Sequence, residues 1–402
     1  MKKQIFVIDV VWTGHIPSFH KMIVKGFLDL GYSVVSLSPN PESVEQYVGK
    51  QDSASLGHLK CFSFSEKALN KSFPHQFFER FAHKGSFFRK QFSLNQSKAL
   101  WRQAKNLIAE NSNSKKTFVF FPYSDYGFQN PNISASWIER NFPYEWSVLN
   151  ITPHQLTGDS KNIYLSKNCQ SLSILDERLL DKLAEELKKP IHLFPEIVHK
   201  NQSTISTKLT NQILEKANGR KLVVLAGVIS SSKKLITLLE TAKLYESKQN
   251  SPLFVIVGEF FLHTWPATNQ VAIQKLIQEA GVNVFMHLHR IESEGEFNKL
   301  YEIADIIYAV YHNFDKSSNT LSKACLFQKP ILVAEGKYLI AERVKRFNLG
   351  MTINENSVEE CVNAIDAILD LSEQELSESG FDDYLLKNSE QKLVEILGKV
   401  FS

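Results

Sequence analysis

Short apolar runs alternate with helical segments along both halves of this 402-residue chain. The run from Gln4 to Val11 is continuous and rich in β-branched residues, as in a parallel strand that is covered on both faces. A helix closed by Gly31 and a second strand from Tyr32 to Ser38 complete a βαβ unit. A new series begins with an apolar run from Lys221 to Ala226. The repetition predicts an α/β protein with two doubly wound, Rossmann-like domains.

The length fits two or three domains, each with its own core. The segment from Pro195 to Arg220 is polar, and we interpret it as a connection between domains. We therefore predict an N-terminal domain over residues 1–195 and a C-terminal domain over residues 196–385. We expect a final helix within residues 386–402 to pack back on the first domain.

The composition is that of an ordinary water-soluble chain, with 22% charged and 43% hydrophobic residues. The net charge of +3 does not indicate nucleic-acid binding. Four widely spaced cysteines argue against a zinc site or a disulfide scaffold, and indicate a reducing compartment. The first residues lack the pattern of a signal peptide, and no apolar run approaches the roughly 20 residues of a membrane span. We expect a cytoplasmic protein that could bind peripherally to the inner face of the cytoplasmic membrane.

One stretch, from Ala304 to Gly336, has the pattern of an anion-binding site. A buried-type strand over Ile306–Tyr311 is followed by a polar turn and then by a hydroxyl-rich helix start at Ser318, Asn319 and Thr320. Free N–H groups and the helix dipole at such a start favour an anion. An ordinary capped helix would give the same local pattern, and both interpretations stay open.

A second turn of this kind runs from Gly227 to Lys234 and contains Lys233 and Lys234. Both turns follow strands and precede helices, so one sheet would place them at the same edge. Backbone N–H groups, hydroxyls and a lysine could then neutralise a diphosphate. The loop Trp12–Pro17 lacks GxGxxG, which disfavours NAD. No DxD-like motif ends a strand, and we predict neither a metal nor a cofactor.

The first half places polar residues after its own strands, among them Asp125 in the turn after the run Thr117–Pro122. His154 follows another strand, and His15 lies beside Gly14 in the first loop. Ligands of open α/β sheets collect at such carboxyl ends, so these side chains could share a cleft. A lone histidine is more often structural, and that alternative stays open.

The segment from Phe73 to Arg102 interleaves aromatic residues with cations. It could form a helix that lies on an anionic membrane surface through Arg80, Lys84, Arg89 and Lys90. Alternatively, its aromatic rings belong to the core and its cations form a solvated rim. Neither interpretation is preferred on the pattern alone.

The succession of features from residue 221 to residue 370 resembles the retaining glycosyltransferases of GT-B architecture, family 4. A glycine-started loop leads to Lys233, a strand ends in Gly258, and the strand after Ala304 is followed by a restart at Lys329-Pro330. Over residues 1–200 the resemblance is one of order and spacing. It implies two Rossmann-like domains that face a cleft, and transfer of a sugar from a nucleotide-diphosphate donor with retention at the anomeric carbon.

The resemblance assigns roles to particular residues. Lys233, Lys234 and the helix start at 318–320 would bind the donor diphosphate. His154, His15 and Asp315 would be catalytic and would hold the sugar. Gly227, Gly258, Arg290 and Lys323 would lie on the side of the donor sugar or nucleoside, and Gly14 and Asp125 on the acceptor side.

This sequence departs from the family at three positions. Asp315 and Lys323 stand where the family usually has two glutamates, and Val228 stands where an arginine often follows the glycine. The implied acceptor is a glycan or a lipid-linked molecule in cell-surface polysaccharide or glycolipid synthesis. The departures keep open a catalytically altered binding or scaffold protein, and a sugar-nucleotide epimerase.

Overall fold

The computed structural model describes residues 3–12, 16–64, 86–113, 116–125, 127–153, 156, 158–197, 204–248 and 250–401. The chain forms two compact units. Unit 1 comprises Met1–Ile197 together with Glu390–Ser402, and unit 2 comprises Val198–Ser389.

Unit 1 is built on a seven-stranded parallel sheet with the strand order β3-β2-β1-β4-β5-β6-β7. Its strands are β1 Gln4–Ile8, β2 Ser33–Ser38, β3 Leu59–Ser63, β4 Thr117–Phe121, β5 Glu145–Asn150, β6 Cys169–Ile174 and β7 Ile191–Leu193. Its first described helices are α1 Ile16–Asp29, α2 Pro41–Gln51, α3 Ser86–Asn111, α4 Ala135–Asn141 and α5 Leu180–Leu187. All five residues of β1 are buried, because helices cover both faces of the sheet.

Aromatic side chains fill one face of this sheet. Trp101 of α3 is fully buried, and its ring lies 5.0 Å from Phe121 and 5.4 Å from Trp146 between centroids. Of the basic aromatic segment, residues 73–85 lie outside the described residues, and so do the side chains of Arg89 and Lys90. Trp101 is therefore a core residue, whereas the membrane interpretation of the other positions stays a prediction.

Helix α15, Glu390–Lys399, belongs to unit 1 and packs against α1. Leu393, Ile396 and Leu397 are buried in the core that they share with Phe27. The carbonyl of Val400 accepts hydrogen bonds from the hydroxyls of Ser147 (2.7 Å) and Ser171 (2.9 Å), which fixes the end of the helix to β5 and β6.

Unit 2 is built on a six-stranded parallel sheet with the order β10-β9-β8-β11-β12-β13. Its strands are β8 Leu222–Ala226, β9 Leu253–Val257, β10 Val284–His287, β11 Ile306–Ala309, β12 Ile331–Ala334 and β13 Gly350–Ile353. Its helices are α6 Lys208–Ala217, α7 Leu235–Tyr245, α8 Ala267–Gln278, α9 Glu294–Ile303, α10 Asn319–Leu326, α11 Leu339–Arg346, α12 Val358–Leu369, α13 Glu373–Ser377 and α14 Phe381–Lys387.

The predicted class, two doubly wound parallel α/β domains, is confirmed. The interpretation of residues 195–220 as a polar connection is wrong over Lys208–Ala217, which form α6. Thr207 caps this helix in a reciprocal arrangement with Thr210, and Ile213 is its buried anchor. The segment is polar because only one side of the helix faces the core. None of the helices in the described residues is both long enough and apolar enough to span a membrane.

Candidate functional site

The strand order of unit 2 reverses direction between its two central strands. From β8 the chain proceeds to β9 on one side, and from β11 it proceeds to β12 on the other. Ligands of open α/β sheets bind outside the carboxyl ends of the strands at such a switch point. The loops after β8 and β11 are the two turns that the sequence singles out, so the structure places them side by side. The backbone N–H of His312 in one loop donates to the carbonyl of Ser232 in the other, at 2.7 Å.

Two glycines let the backbone pass closely at this edge. Gly258, after β9, has a φ of 146°, and a Cβ there would lie 1.8 Å from the carbonyl oxygen of Gly227. Gly227 has a φ of 94°, and a Cβ there would lie 3.4 Å from Nζ of Lys233 and 3.8 Å from the ring of Phe297. A side chain at either position would contact neighbouring atoms, and the positive φ would also strain the backbone of a residue other than glycine. Gly227 therefore keeps open the space between Lys233 and Phe297.

Lys233 is partly buried at the switch point, in the loop before α7. Its ammonium donates to the carbonyl of Ala226 at 2.7 Å and lies 5.6 Å from the ring centroid of Tyr311. Burial lowers the pKa of Lys233 to about 8, because removal from water penalises the charged form. The group remains largely protonated at neutral pH, and an anionic ligand beside it would stabilise the charge.

Helix α10 begins at the same place, with Ser318 at the N-cap position. Within the described residues, the Ser318 side chain does not cap the helix, and no acceptor contacts the backbone N–H groups of Asn319 and Thr320. The Tyr311 hydroxyl donates to Oγ1 of Thr320 at 3.1 Å. Burial raises the pKa of Tyr311, and hydrogen bonds with Thr320 and Ser318 oppose the rise. The helix start thus presents N–H groups and hydroxyls, the donors that bind phosphate oxygens.

Lys323, further along α10, turns towards helix α9. Only 5% exposed, it donates to Oδ1 of Asn298 at 2.6 Å and lies 3.6 Å from the carboxylate of Glu294. Its ammonium is 5.7 Å from the ring centroid of Phe297. Burial lowers the pKa of Lys323, while Glu294 opposes that change. The structure thus places a lysine, held by α9, near the aromatic ring that borders the switch point.

The other predicted donor residues lie at different places. The Lys234 ammonium lies 3.2 Å from the Glu355 carboxylate and donates to Oδ1 of Asn356 at 2.7 Å. Asp315 accepts from the backbone N–H of Leu339 at 3.1 Å, at the start of α11. Arg290 is exposed, after the outermost strand β10, and lies 3.4 Å from Glu292. Lys233, Ser318 and Thr320 therefore come together with Gly227, whereas Arg290 does not join them.

In unit 1 the strand order reverses between β1 and β4, and Asp125 follows β4. Its carboxylate accepts from the backbone N–H groups of Ile151 (3.2 Å) and Thr152 (2.9 Å), and from the Thr152 hydroxyl. Burial raises the pKa of Asp125, and these bonds oppose the rise. Asp125 thus fixes the loop after β5.

The remaining predicted residues Gly14, His15, His154, Arg80 and Lys84 lie outside the described residues, and their roles stay predictions. Among the described residues, no group of three or more His, Cys, Asp or Glu side chains is arranged to hold a metal ion. That the site works without a metal stays a prediction too.

Sequence reasoning missed Glu355, which contacts both Lys234 and His312. It also missed Phe297, because the sequence pattern of an aromatic residue on a helix indicates a core residue. The buried triad of Asp9, His20 and Ser36 in unit 1 was also missed. The sequence signal for Glu355 was its position two residues after the end of a strand, in Asn354-Glu355-Asn356.

Comparison with known proteins bears on unit 2 directly. Residues 206–380 match the family model described as "Glycosyl transferases group 1". The matched segment lies within unit 2. The switch-point loops and helix α10 also lie within the matched segment.

Solved structures show the fold of the whole chain. One, described as "Trehalose-6-phosphate from E. coli bound with UDP-2-fluoro glucose", is similar with a TM-score of 0.68 at 12% identity, over 100% of this chain and 99% of that one. A glycosyltransferase from Rickettsia africae ESF-5 has a TM-score of 0.65 at 14% identity, over 100% and 99%. An α,α-trehalose-phosphate synthase (UDP-forming) from Burkholderia vietnamiensis has a TM-score of 0.63 at 12% identity, over 100% and 96%. No curated protein matches by sequence. The chain has the GT-B fold.

Proposed function

We propose that this protein transfers a glycosyl unit from a nucleotide-diphosphate sugar to a glycan or lipid-linked acceptor, with retention at the anomeric carbon, as a divergent family 4 member. The match to the glycosyltransferase family model, and the UDP that is named for two of the similar structures, support a sugar-nucleotide donor. The observation that carries the proposal is the placement of Lys233 beside Gly227 and the open start of α10, at the switch point of unit 2.

The chemistry follows from the leaving group. Breaking the bond between the sugar and the diphosphate leaves a nucleoside diphosphate, whose developing charge must be neutralised. The Lys233 ammonium supplies a positive charge, and the N–H groups of Asn319 and Thr320 supply donors. These residues can act without a metal, which is the form of the reaction that we propose. We propose that Asp315 and a histidine of the first half hold the sugar ring, with His154 as the first choice and His15 as the second.

The first test is donor binding by calorimetry with UDP, GDP and their sugar derivatives. We expect one nucleotide series to bind the wild type, and Lys233→Met to weaken binding by roughly 10- to 150-fold, since hydrogen bonds to charged groups contribute roughly 1.5–3 kcal/mol. Lys243→Met removes an exposed lysine from α7 and is the matched control. Equal affinity in all three proteins would refute the site.

A catalytically altered binding protein is the second candidate, and the capping contact of Asp315 favours it. This carboxylate is engaged by the Leu339 N–H, and Lys323 is engaged by α9. Lys323 has no carboxylate, and the Asp315 carboxylate is already hydrogen-bonded. Neither position therefore offers the switch point the role that a family glutamate would have. Incubating the purified protein with its donor distinguishes the candidates, because release of the nucleoside diphosphate, by transfer or hydrolysis, rules out the binding protein.

A lipid-linked acceptor would place the protein at the inner face of the cytoplasmic membrane. We propose that Arg80, Lys84, Arg89 and Lys90 attract anionic lipid headgroups there. Flotation with vesicles that contain anionic lipid tests this proposal. Charge reversal at all four positions is expected to abolish flotation, and flotation that survives the reversal would refute the membrane contact.

A further inference from the structure

Glu355, in the loop after β13, contacts both loops of the switch point. Its carboxylate oxygen Oε1 is hydrogen-bonded to Nδ1 of His312, which lies after β11, and is 3.2 Å from the ammonium of Lys234, which lies after β8. The Glu355 side chain is 14% exposed and that of Lys234 is 19% exposed, so water screens the pair only in part. We call Glu355, His312 and Lys234 the carboxylate clamp.

Hydrogen bonds to backbone carbonyls join the same loops. The Thr237 hydroxyl of α7 donates to the carbonyl of Glu355 at 2.9 Å, and the Tyr308 hydroxyl of β11 donates to the carbonyl of Lys234 at 3.1 Å. The backbone N–H of His312 donates to the carbonyl of Ser232 at 2.7 Å. Loops that follow three different strands are thus fastened at one point.

The clamp separates the roles of two consecutive lysines. Lys234 is held by Glu355 and by Asn356, whereas the Lys233 ammonium bonds to the Ala226 carbonyl and faces the space beside Gly227. One lysine therefore fixes the loop, and its neighbour remains directed at the switch point.

We propose that Glu355 is a positioning residue for the donor diphosphate site. Acting through Lys234 and His312, it sets the spacing of the two loops before the donor binds, so that less ordering is needed on binding. This inference rests on the proposed function, because the ligand is the donor's diphosphate group. It adds a residue that contacts neither the sugar nor the phosphates.

The test measures the Kd of the preferred nucleoside diphosphate in the full-length protein. Glu355→Ala is expected to weaken binding about tenfold through the lost pre-organisation. Glu355→Gln should stay within about threefold of the wild type, because the amide oxygen still accepts hydrogen bonds from both partners. Glu359→Ala, which removes an exposed carboxylate in the first turn of α12, is the control with the same change of charge.

A double-mutant cycle separates positioning from simple destabilisation. His312→Ala alters a half-exposed side chain and should weaken binding about threefold, so it provides the test if Glu355→Ala does not fold. The double variant should bind the nucleoside diphosphate no more weakly than Glu355→Ala alone, because Glu355 and His312 share one hydrogen bond. Binding by Glu355→Ala that equals or exceeds the wild-type affinity, or strictly additive losses in the cycle, would overturn the inference. If the wild type binds no nucleoside diphosphate, the proposed function itself fails, and this inference fails with it.

Discussion

Lys233 determines how donor binding should depend on pH. Its pKa is lowered by burial to about 8, so the free protein loses this charge above that pH. Since a bound diphosphate favours the protonated form, the donor Kd should rise by up to about tenfold per pH unit between pH 8 and pH 10. Calorimetry across that range checks the prediction.

Lys233→Arg supplies the control for this pH dependence. An arginine stays charged throughout the range, so its donor affinity, whatever its absolute value, should be flat where that of the wild type falls. A parallel decline in both proteins would assign the titration to another group.

The buried triad of unit 1 gives a prediction about stability. Nδ1 of His20 lies 2.7 Å from the Asp9 carboxylate and Nε2 lies 2.8 Å from the Ser36 hydroxyl, all three residues being almost fully buried. His20→Ala would leave the Asp9 carboxyl without its partner and should lower the free energy of unfolding by about 3–5 kcal/mol. Urea denaturation measures the loss, with His263→Ala, at an exposed site, as the control. A loss below about 1 kcal/mol would mean that Asp9 is satisfied otherwise.

At the scale of elements, the crossing of the loops after β8 and β9 depends on Gly258. A Cβ at this position would lie 1.8 Å from the Gly227 carbonyl oxygen, so Gly258→Ala must displace one of the loops. We expect a loss of stability of about 4 kcal/mol or more together with a loss of donor binding.

Gly219→Ala is the matched comparison for that substitution. Gly219 also has a positive φ, 81°, but nothing lies within 4 Å of the added atom, so only backbone strain of about 1–2 kcal/mol is expected. Equal losses in the two variants would show that the close approach at Gly258 contributes nothing.

The strands and the helices that follow them could be predicted because each apolar run is buried on both faces. The stretch from Ile306 to Ala334 shows this well: the predicted strand, turn, helix start and second strand all form. The topology then brings the turns after β8 and β11 together, which the sequence order alone had indicated. The elements predicted from the local pattern agree with the fold here, because the alternation of strands and helices along the chain determines both.

What the sequence could not give is the direction of individual side chains. Two adjacent lysines have the same local pattern, yet Lys233 faces the switch point and Lys234 pairs with Glu355, which is far away in sequence. Lys323 and Asp315 likewise find partners on α9 and α11. Such pairings depend on which helices the fold makes neighbours, and no spacing along the chain contains that information.

At the scale of the whole molecule, unit 1 is made of two separate segments of the chain. Leu397 of α15 is fully buried against α1, where one of its methyl carbons would lie 2.7 Å from a Cβ added at Gly26. Leu397→Ala should therefore destabilise unit 1 by about 2–5 kcal/mol, because it leaves a cavity between the two helices. Gln391→Ala, at an exposed position of the same helix, is the control.

Denaturant unfolding followed by tryptophan fluorescence can report on this loss, since Trp101 and Trp146 are buried in unit 1. Trp265 lies in unit 2, and its surroundings should be unchanged by the Leu397 substitution. Replacing Trp265 by Phe removes that signal so that unit 1 can be followed more directly. An unchanged transition in unit 1 would mean that α15 does not support its core.

The return of α15 to unit 1 also affects how the protein is made. On the ribosome, Val198–Ser389 is synthesised before Glu390–Lys399, so all of unit 2 leaves the exit tunnel while the surface of α1 still lacks its covering helix. Domains generally fold in the order of their synthesis, but here the first sheet to be translated cannot complete its packing first. Ribosomes that stop early would release chains with a complete unit 2 and an exposed apolar face on α1, a form that chaperones and proteases recognise.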